Sequence, residues 1–414
     1  MHRHRTGGRE KAIRQMSSPS KRIVSSPNIL ALGVVSFFND VSSEMIYPLL
    51  PLFITGVLGA GASAVGAIEG VAEAILSLSN VLSGSISDRI KRKKPFILAG
   101  YLIANVARPL IGITSRWWQI LGLRAADRLG KGIRTPPRDG LIALSASSED
   151  RGAAFGFQRG MDNAGAFVGP LLAFLFLLHW HSLRALFLMA AIPGVVTVLV
   201  VIFCVREMRP SKTDPSPPSA KNPKGISFFK EKGFNRNVTL YLTAMGLFSL
   251  GNSSDAFLML KAGELGFATA TIPLLWMALH ASRALLSFPG GLLADRWGRK
   301  ELLLAGWAVY GGVYLAIAVT TSPTVLWFLL LLYGLYYGLT EGAERALLSE
   351  LVPSHALGKG FGWFHGVKGL ALLSGNLIFG YLWQNWGAEV AFAEGALCAI
   401  LATPMLLKVR RDKT

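Results

Sequence analysis

The sequence predicts an all-α membrane protein of 12 transmembrane helices, arranged as two pseudo-symmetric six-helix bundles. Three observations lead to this prediction. Of the 414 residues, 51% are hydrophobic and only 16% are charged, whereas soluble proteins carry about 25% charged residues. Apolar stretches long enough to cross a bilayer recur along the chain, and the second half of the sequence repeats the first.

A membrane helix needs about 20 mostly apolar residues to cross the hydrocarbon core. The sequence contains six such stretches before a long polar interruption and six after it. The first six lie at 28–55, 63–86, 95–114, 117–145, 152–178 and 183–204. The second six lie at 237–262, 269–293, 301–320, 324–349, 360–383 and 389–408.

These spans define the predicted domains: a cytoplasmic tail, a bundle, a cytoplasmic linker, a second bundle and a second tail, at 1–27, 28–204, 205–236, 237–408 and 409–414. The linker contains five prolines among Lys and Ser residues. Such a composition buries too little apolar surface to fold, so we expect a flexible tether. The basic start is interpreted as a tail rather than a presequence, because the following apolar stretch is too long for a signal peptide.

The net charge of +18 is distributed asymmetrically between the predicted connections. Of the 42 Lys and Arg residues, 29 fall in the termini and in the connections on the same side as the termini. The connections on the other side contain only Arg116, Arg184 and Lys261. Short cytoplasmic loops are enriched in Lys and Arg, so both termini are predicted to be cytoplasmic. The asymmetry explains the basic composition without nucleic-acid binding.

The two halves are predicted to be copies of one another. Gly84-Ser-Ile-Ser-Asp88-Arg89 follows the second span, and Gly291-Leu-Leu-Ala-Asp295-Arg296 follows the eighth. With a shift of 206 residues, six positions of the first half coincide with identical residues of the second: Gly132, Gly152, Phe155, Gly156, Gly160 and Gly169. Duplicated bundles that rock about a central site are typical of secondary transporters.

Ionisable residues inside the predicted spans are candidates for function, because a charge at the bilayer centre costs about 2.5–3.5 kcal/mol on insertion scales. The candidate proton carriers are carboxylates: first Asp40, Glu44, Glu69 and Glu73, and second Asp127 and Asp162. Asp40 and Glu44 have no basic neighbour in sequence, which suits reversible protonation. Candidate substrate-binding residues are Arg108, Arg124, Arg159, Asn252, Asp255, Arg283, Glu341 and Lys368.

An alternative interpretation of these charges is structural. In that interpretation Arg128 pairs with Asp127, and Glu344 pairs with Arg345, as anchors near the cytoplasmic surface. A purely structural bundle would place small and apolar residues at its helix contacts. The whole set of charges therefore favours a wet cleft between the bundles.

Other classes of function lack support in the sequence. The chain has no Walker-type loop, HExxH or GxSxG motif, so an enzyme is not predicted. Its two cysteines, Cys204 and Cys398, indicate neither a disulfide framework nor a metal site. We expect a monomer without cofactor or metal that interacts with a small molecule, protons and the lipid bilayer, and not with nucleic acid.

Gly291-xxx-Asp295-Arg296-Trp-Gly-Arg-Lys resembles the loop signature of the major facilitator superfamily, and Gly84-xxx-Asp88-Arg89 is its first-half copy. The resemblance implies that these loops help to hold the outward-facing state. Arg124-xx-Asp127-Arg128-x-Gly130 is similar to the family's fourth-span motif, in which an arginine is linked to proton movement. In this sequence Asp127 and Arg128 replace the usual Gln-Gly pair.

The fifth span carries Gly156-(x8)-Gly165-(x3)-Gly169-Pro170, which resembles the family's antiporter motif up to the proline. The small residues allow close helix approach and Pro170 supplies a bend, so Gly165, Gly169 and Pro170 are predicted to serve conformational change. The residues around Asp40 and Glu44 also resemble a prokaryotic branch near the multidrug exporters.

The leading functional hypothesis is a proton-coupled antiporter of the inner membrane that exports a small organic molecule or drug. The first alternative is proton-coupled uptake of an anionic metabolite or siderophore. The alternative from another class is a transport-inactive membrane sensor.

Overall fold

A computed structural model describes residues 26–87, 92–147, 150–208, 236–353 and 357–409. The described chain is helical, with short turns between successive helices. The first half contains α1 to α6 and the second half α7 to α12. Their bounds are α1 Pro27–Val57, α2 Ala62–Ser87, α3 Lys94–Ile113, α4 Trp117–Ser145, α5 Arg151–Trp180, α6 Leu183–Phe203, α7 in two pieces Arg236–Gly251 and Ala256–Glu264, α8 Ile272–Trp297, α9 Arg299–Val319, α10 Pro323–Leu351, α11 Leu357–Trp386 and α12 Ala388–Lys408.

Eight helices of the described chain are long and apolar enough to cross a membrane: α1, α2, α3, α5, α6, α9, α10 and α12. The helix α4 carries a stripe of charged residues, and α7 is interrupted at 252–255. An all-helical, multi-pass membrane protein is therefore confirmed. The predicted linker at 205–236 falls largely outside the described residues, as do the predicted tails.

The helices of the two halves pack in the same pattern. In the first half α1 packs against α5 and α6, α4 packs against α2 and α3, and α3 also packs against α6. In the second half α7 packs against α11 and α12, α10 packs against α8 and α9, and α9 also packs against α12. The halves meet where α2 packs against α11 and α5 packs against α8.

Glycines at equivalent positions allow equivalent close approaches in each half. A Cβ atom at Gly169 of α5 would collide with α1, and one at Gly375 of α11 would collide with α7. The same holds for Gly132 against α2 and Gly338 against α8. Each pair is related by the shift of 206 residues that the sequence shows. The predicted duplication thus reappears as repeated helix packing.

The two ends of the bundle differ in how tightly the halves meet. We call the end that contains Pro27, Phe203 and Lys408 the terminal end, and the other the distal end. Near the distal end a Cβ at Gly66 of α2 would collide with the backbone of α11. Towards the terminal end a Cβ would meet open space at six glycines: Gly152, Gly156 and Gly160 of α5, Gly342 of α10, and Gly362 and Gly366 of α11. Nearer the distal end the same is true of Gly56 of α1 and Gly122 of α4.

Prolines and polar residues interrupt several helices. In α1 the regular helix ends at Glu44, and a tighter turn containing Pro48 leads to a π turn at Phe53–Val57. In α4 two consecutive prolines, Pro136 and Pro137, remove backbone donors. Pro137 has no N–H to donate to the carbonyl of Ile133, four residues earlier. The Ser83 hydroxyl of α2 donates to that carbonyl instead, at 3.0 Å.

The predicted span 237–262 is wrong as one continuous helix. Residues 252–254 leave the helical path, and a turn at Asp255 starts the second piece of α7. The sequence there is Asn-Ser-Ser-Asp, whose side chains bond to nearby backbone in competition with the helix. The predicted span 183–204 similarly contains a turn at Ala190.

Candidate functional site

The interior of the first half is built around Asp127 of α4. One of its carboxylate oxygens accepts from the Arg108 Nε of α3 at 2.9 Å. The other oxygen accepts from Arg124 at 3.3 Å and from the Tyr47 hydroxyl of α1. The side chains of Arg108 and Asp127 are each only 2% exposed. Asp127 therefore joins three helices through buried, charge-assisted hydrogen bonds.

Two more ion pairs extend this network to α2. Arg124 binds both oxygens of Glu69, at 3.0 Å each, in a bidentate arrangement. Arg128 lies 3.5 Å from a Glu73 oxygen. The three arginines of α3 and α4 thus face three carboxylates, and their charges balance. We call these six residues the ion-pair network: Arg108, Arg124, Arg128, Glu69, Glu73 and Asp127.

Three other carboxylates of the first half accept hydrogen bonds from neutral donors. Asp40 accepts from the Asn39 amide at 2.9 Å. Asp162 accepts from the Gln158 amide at 2.6 Å. Glu44 accepts from the Trp276 indole of α8 at 2.7 Å, a contact that connects the two halves. These three carboxylates therefore differ from those of the ion-pair network.

In the second half, buried polar residues gather around the interruption of α7. Asp255, at the end of the interruption, accepts from the Tyr333 hydroxyl at 3.1 Å and from the Tyr337 hydroxyl at 3.0 and 3.1 Å. Asn252 donates to the Tyr336 hydroxyl at 3.1 Å. Tyr310 of α9 donates to the Gly251 carbonyl at 2.6 Å, which satisfies a backbone oxygen at the end of the first piece of α7.

The tyrosines of α9 and α10 also pack on one another. The rings of Tyr310 and Tyr314 lie 4.1 Å apart, and those of Tyr333 and Tyr336 lie 5.5 Å apart. All four are fully or nearly fully buried. Around the interruption of α7 the second half therefore satisfies buried polar groups with phenol hydroxyls, where the interior of the first half uses ions.

A second group of charges lies where α5 of the first half approaches α8 and α10 of the second. Glu341 of α10 accepts from Arg283 of α8 at 3.2 Å through Oε2. Its Oε1 lies 3.9 Å from Arg159 of α5 and 3.9 Å from Arg345 of α10. We call these four residues the interhalf cluster. Nearby, Lys368 of α11 donates to Glu344 at 2.7 Å.

Several hydrogen bonds connect the halves nearer the distal end. The Ser254 hydroxyl of α7 lies 3.4 Å from Glu69. The backbone amide of Ser63 donates to the Gln384 side chain at 3.2 Å. Together with the indole of Trp276 on Glu44, these contacts fasten α1 and α2 to the second half.

Comparison with known proteins assigns this architecture. The sequence profile of the Major Facilitator Superfamily matches residues 32–282 and 242–414. The chain belongs to the major facilitator superfamily. An uncharacterised transporter of this type from Methanocaldococcus jannaschii is 35% identical over 92% of this chain and 94% of the relative.

Two further similarities place the chain among the transporters of this superfamily. A protein of Lactococcus lactis named as a homologue of the multidrug efflux pump PmrA is 25% identical, over 92% of each chain. The crystal structure of the nucleoside transporter NupG superposes with a TM-score of 0.78 at 13% identity, over 92% of this chain and 99% of that one. At that identity the likeness concerns the fold alone.

The superfamily fold brings most of the predicted site residues into two groups. Glu69, Glu73, Asp127, Arg108 and Arg124 lie in the ion-pair network, whereas Arg159, Arg283 and Glu341 lie in the interhalf cluster. Asp40, Glu44 and Asp162 lie in the first half with neutral donors, and Asn252 and Asp255 lie at the interruption of α7. Lys368 pairs with Glu344. The roles assigned to these residues stay predictions.

The predicted gating residues fall in three groups. Gly165 and Gly169 lie on α5 where a Cβ would collide with α1, and Pro170 follows them inside the same helix. Asp88 and Arg89 lie outside the described residues. Gly84 lies in α2, and Gly291, Asp295 and Arg296 lie in α8, where the structure describes the helix path only.

The alternative ion pairs between neighbours in sequence are wrong. Arg128 pairs with Glu73, and Arg345 lies nearest to Glu341. Consecutive residues of an α-helix point in different directions, whereas residues three or four apart face one another. Glu341 and Arg345 have the favourable spacing of four.

Sequence reasoning missed the aromatic partners of the acids, namely Tyr47, Trp276, Tyr333 and Tyr337. One signal was present: Tyr333-x-x-Tyr336-Tyr337 places three phenols within five residues of one helix. A second signal is the repetition of Ser42-Ser43-Glu44 as Ser253-Ser254-Asp255. In both halves the acid of this tripeptide accepts from aromatic donors.

Proposed function

We propose that this protein is a secondary active transporter of the inner membrane that exports a small organic molecule in exchange for protons. In this proposal the chain crosses the membrane 12 times as two pseudo-symmetric bundles, with both termini and the terminal end in the cytoplasm. The superfamily membership supports secondary transport, and the relative named as a multidrug efflux pump homologue supports export. The charge asymmetry of the connections supports the orientation.

The hydrogen bond from the Trp276 indole to Glu44 carries the proton-coupling part of the proposal. It joins α8 to α1 across the boundary between the halves. A hydrogen bond to an ionised carboxylate is roughly twice as strong as one to a neutral acceptor. Protonation of Glu44 would therefore weaken a contact that fastens the two halves near the distal end.

Neutral partners make Glu44, Asp40 and Asp162 better proton carriers than the acids of the ion-pair network. Protonation of Asp127 would leave the buried guanidinium group of Arg108 without its counter-charge, which costs about 3–5 kcal/mol. Protonation of Glu44 leaves its two hydrogen-bond donors, the Trp276 indole and the Ser43 hydroxyl, uncharged as before. We therefore propose that Asp40, Glu44 and Asp162 exchange protons and that the ion-pair network holds α2, α3 and α4 together.

The difference between the two ends supports alternating access. A cleft that is open to the cytoplasm requires close helix contacts near the distal end and open space towards the terminal end. The glycines at which an added Cβ would meet nothing provide such space. A substrate would enter that cleft from the cytoplasm. In the opposite opening the Trp276 contact would be absent, so Glu44 would take up a proton from outside as the substrate leaves. On return to the cytoplasm-open state the contact would re-form on the ionised acid and favour release of the proton to the cytoplasm.

Proton coupling is tested with purified protein in liposomes under an imposed pH gradient. The wild type should drive a substrate, found by a toxin-sensitivity screen of a deletion strain, against its concentration gradient. Glu44→Gln should abolish this active flux while sparing exchange of substrate across the membrane. Glu264→Gln is the matched control, because this exposed carboxylate also accepts from an indole, that of Trp383 at 2.8 Å, but within the second half. Full active flux in Glu44→Gln would contradict the assignment.

A second candidate is uptake of an anionic metabolite by the same machinery. The interhalf cluster favours it, because two arginine side chains there are more than 60% exposed beside one carboxylate. The direction of flux separates the candidates. Under an inward proton gradient, an antiporter moves substrate outwards and a symporter accumulates it.

A further inference from the structure

The interhalf cluster has an unusual balance of charge for the interior of a membrane protein. Three guanidinium groups, from α5, α8 and α10, surround the single carboxylate of Glu341. In the ion-pair network, by contrast, three arginines face three carboxylates. A charge inside a bilayer requires a partner or water. Arg283 also interacts with Asp255, but Arg159 and Arg345 share one oxygen of Glu341 at 3.9 Å and therefore have positive charge available for another anion.

The two oxygens of Glu341 are used differently. Oε2 forms a hydrogen bond of 3.2 Å with Arg283. Oε1 lies 3.9 Å from both Arg159 and Arg345, which is beyond hydrogen-bonding distance. The donors of Arg159 and Arg345 thus converge on one point without being bonded to it. Their side chains are 65% and 63% exposed, so a ligand can reach them.

The space beside these arginines is open. A Cβ atom at Gly156 or Gly160, which flank Arg159 on α5, would meet nothing within 4 Å. The same is true at Gly342, which follows Glu341 on α10. These glycines leave open space on α5 beside Arg159 and on α10 beside Glu341.

We infer that the interhalf cluster binds an anionic group of the transported molecule, a carboxylate or a phosphate, between Arg159 and Arg345. The inference rests on the proposed transport function and adds the substrate class. Guanidinium groups present planar pairs of donors that match the oxygens of either anion. Such a ligand replaces Glu341 Oε1 as the acceptor that both arginines approach.

A bound anion also has a mechanical consequence. Arg159 belongs to the first half, and Arg345 to the second. An anion held by both joins α5 to α10 on the terminal side, where the glycine faces leave the halves apart. Binding of the anionic group therefore favours closure at the end from which the substrate enters.

The test measures equilibrium binding to the purified full chain in lipid nanodiscs by fluorescence anisotropy. The probes are carboxyfluorescein, an anionic xanthene dye, and rhodamine 123, a cationic dye on the same ring scaffold. We expect the wild type to bind carboxyfluorescein at least about tenfold more tightly, a difference of about 1.4 kcal/mol. Equal affinities, or no carboxyfluorescein binding up to its solubility limit, would overturn the inference.

Substitutions in the interhalf cluster test where the anionic probe binds. Arg159→Gln and Arg345→Gln should each weaken carboxyfluorescein binding about tenfold. Glu341→Gln should strengthen it by a similar factor, because the competing carboxylate is gone. Misfolding cannot produce that gain, so the variant keeps the test informative. Arg151→Gln, an exposed arginine at the start of the same helix, is the matched control. Unchanged affinity in all three cluster variants would refute the site.

Failure of this inference and failure of the transport proposal give different results. Suppose that a pH gradient drives rhodamine 123 across the liposome membrane but carboxyfluorescein neither binds nor moves. The transport proposal is then supported and the anion site is refuted. If carboxyfluorescein binds through Arg159 and Arg345 but no pH gradient drives its transport, the anion site is supported and proton coupling is refuted.

Discussion

The two halves share their backbone packing and differ in their interior chemistry. Gly169 and Gly375 allow the same close approach, of α5 to α1 and of α11 to α7. Elsewhere in the interior, however, the first half holds arginine–carboxylate pairs on α2, α3 and α4, and the second half holds tyrosines of α9 and α10 around Asp255. Duplication has preserved the sites where backbones touch and allowed the polar interior to diverge.

This difference indicates how firmly each interior is held. Removing one partner of a buried ion pair costs about 3–5 kcal/mol, because the other charge remains buried. Removing one phenol hydroxyl costs about 0.5–1.5 kcal/mol, the net value of an ordinary hydrogen bond. The first half should therefore be the more sensitive to single polar substitutions.

The largest effect is expected for Asp127→Asn. It deprives Arg108 and Arg124 of a shared buried partner and should lower the free energy of unfolding by about 3–5 kcal/mol. Thermal unfolding in detergent micelles measures the loss. Asp139→Asn, on the same helix but 41% exposed, is the control and should change little. Equal losses in the two variants would remove the distinction between buried and surface pairs.

An intermediate effect, equal in both halves, is expected for the close glycines. Gly169→Ala and Gly375→Ala should each destabilise the protein by about 1–3 kcal/mol, since the new methyl group collides with backbone. Gly156→Ala and Gly362→Ala are matched controls on the same helices, where a Cβ meets open space. Unfolding measurements that show loss in only one half would contradict equivalent packing.

The smallest effect is expected for Tyr333→Phe. Asp255 keeps both hydrogen bonds from Tyr337, so the loss should be about 0.5–1.5 kcal/mol by thermal unfolding. The double variant Tyr333→Phe/Tyr337→Phe removes the remaining phenol donors and should lose more than the sum of the single variants. Simple additivity would show that the two hydroxyls act independently.

Much of the fold followed from sequence alone, because hydrophobic length and the repeated glycines are local signals. The 206-residue shift identified Gly132 and Gly169 as equivalent to Gly338 and Gly375, and the structure gives each pair the same contact. Helix interruptions were missed at 252–255, since the surrounding residues are apolar enough for one continuous span. A hydropathy pattern does not register competition between side chains and the helix backbone.

The sequence identified the charged residues of the site better than their pairing. Partners such as Arg108 and Asp127, or Glu44 and Trp276, come from helices that only the folded bundle brings together. Spacing within one helix explains Glu341 with Arg345 and fails for Arg128, whose partner lies on α2. Which carboxylates face cations and which face neutral donors therefore required the coordinates.

The interruption of α7 also restricts how that helix can turn about its own axis. Its broken segment keeps its backbone groups satisfied through neighbours on α9 and α11: Tyr310 serves the Gly251 carbonyl, and Asn376 accepts from the Ser254 amide at 2.8 Å. Hydrocarbon offers no substitute for either contact. If α7 rotated so that this segment faced the acyl chains, the Gly251 carbonyl and the Ser254 amide would lose their hydrogen bonds. We therefore expect α7 to move together with α9 and α11 as one rigid unit.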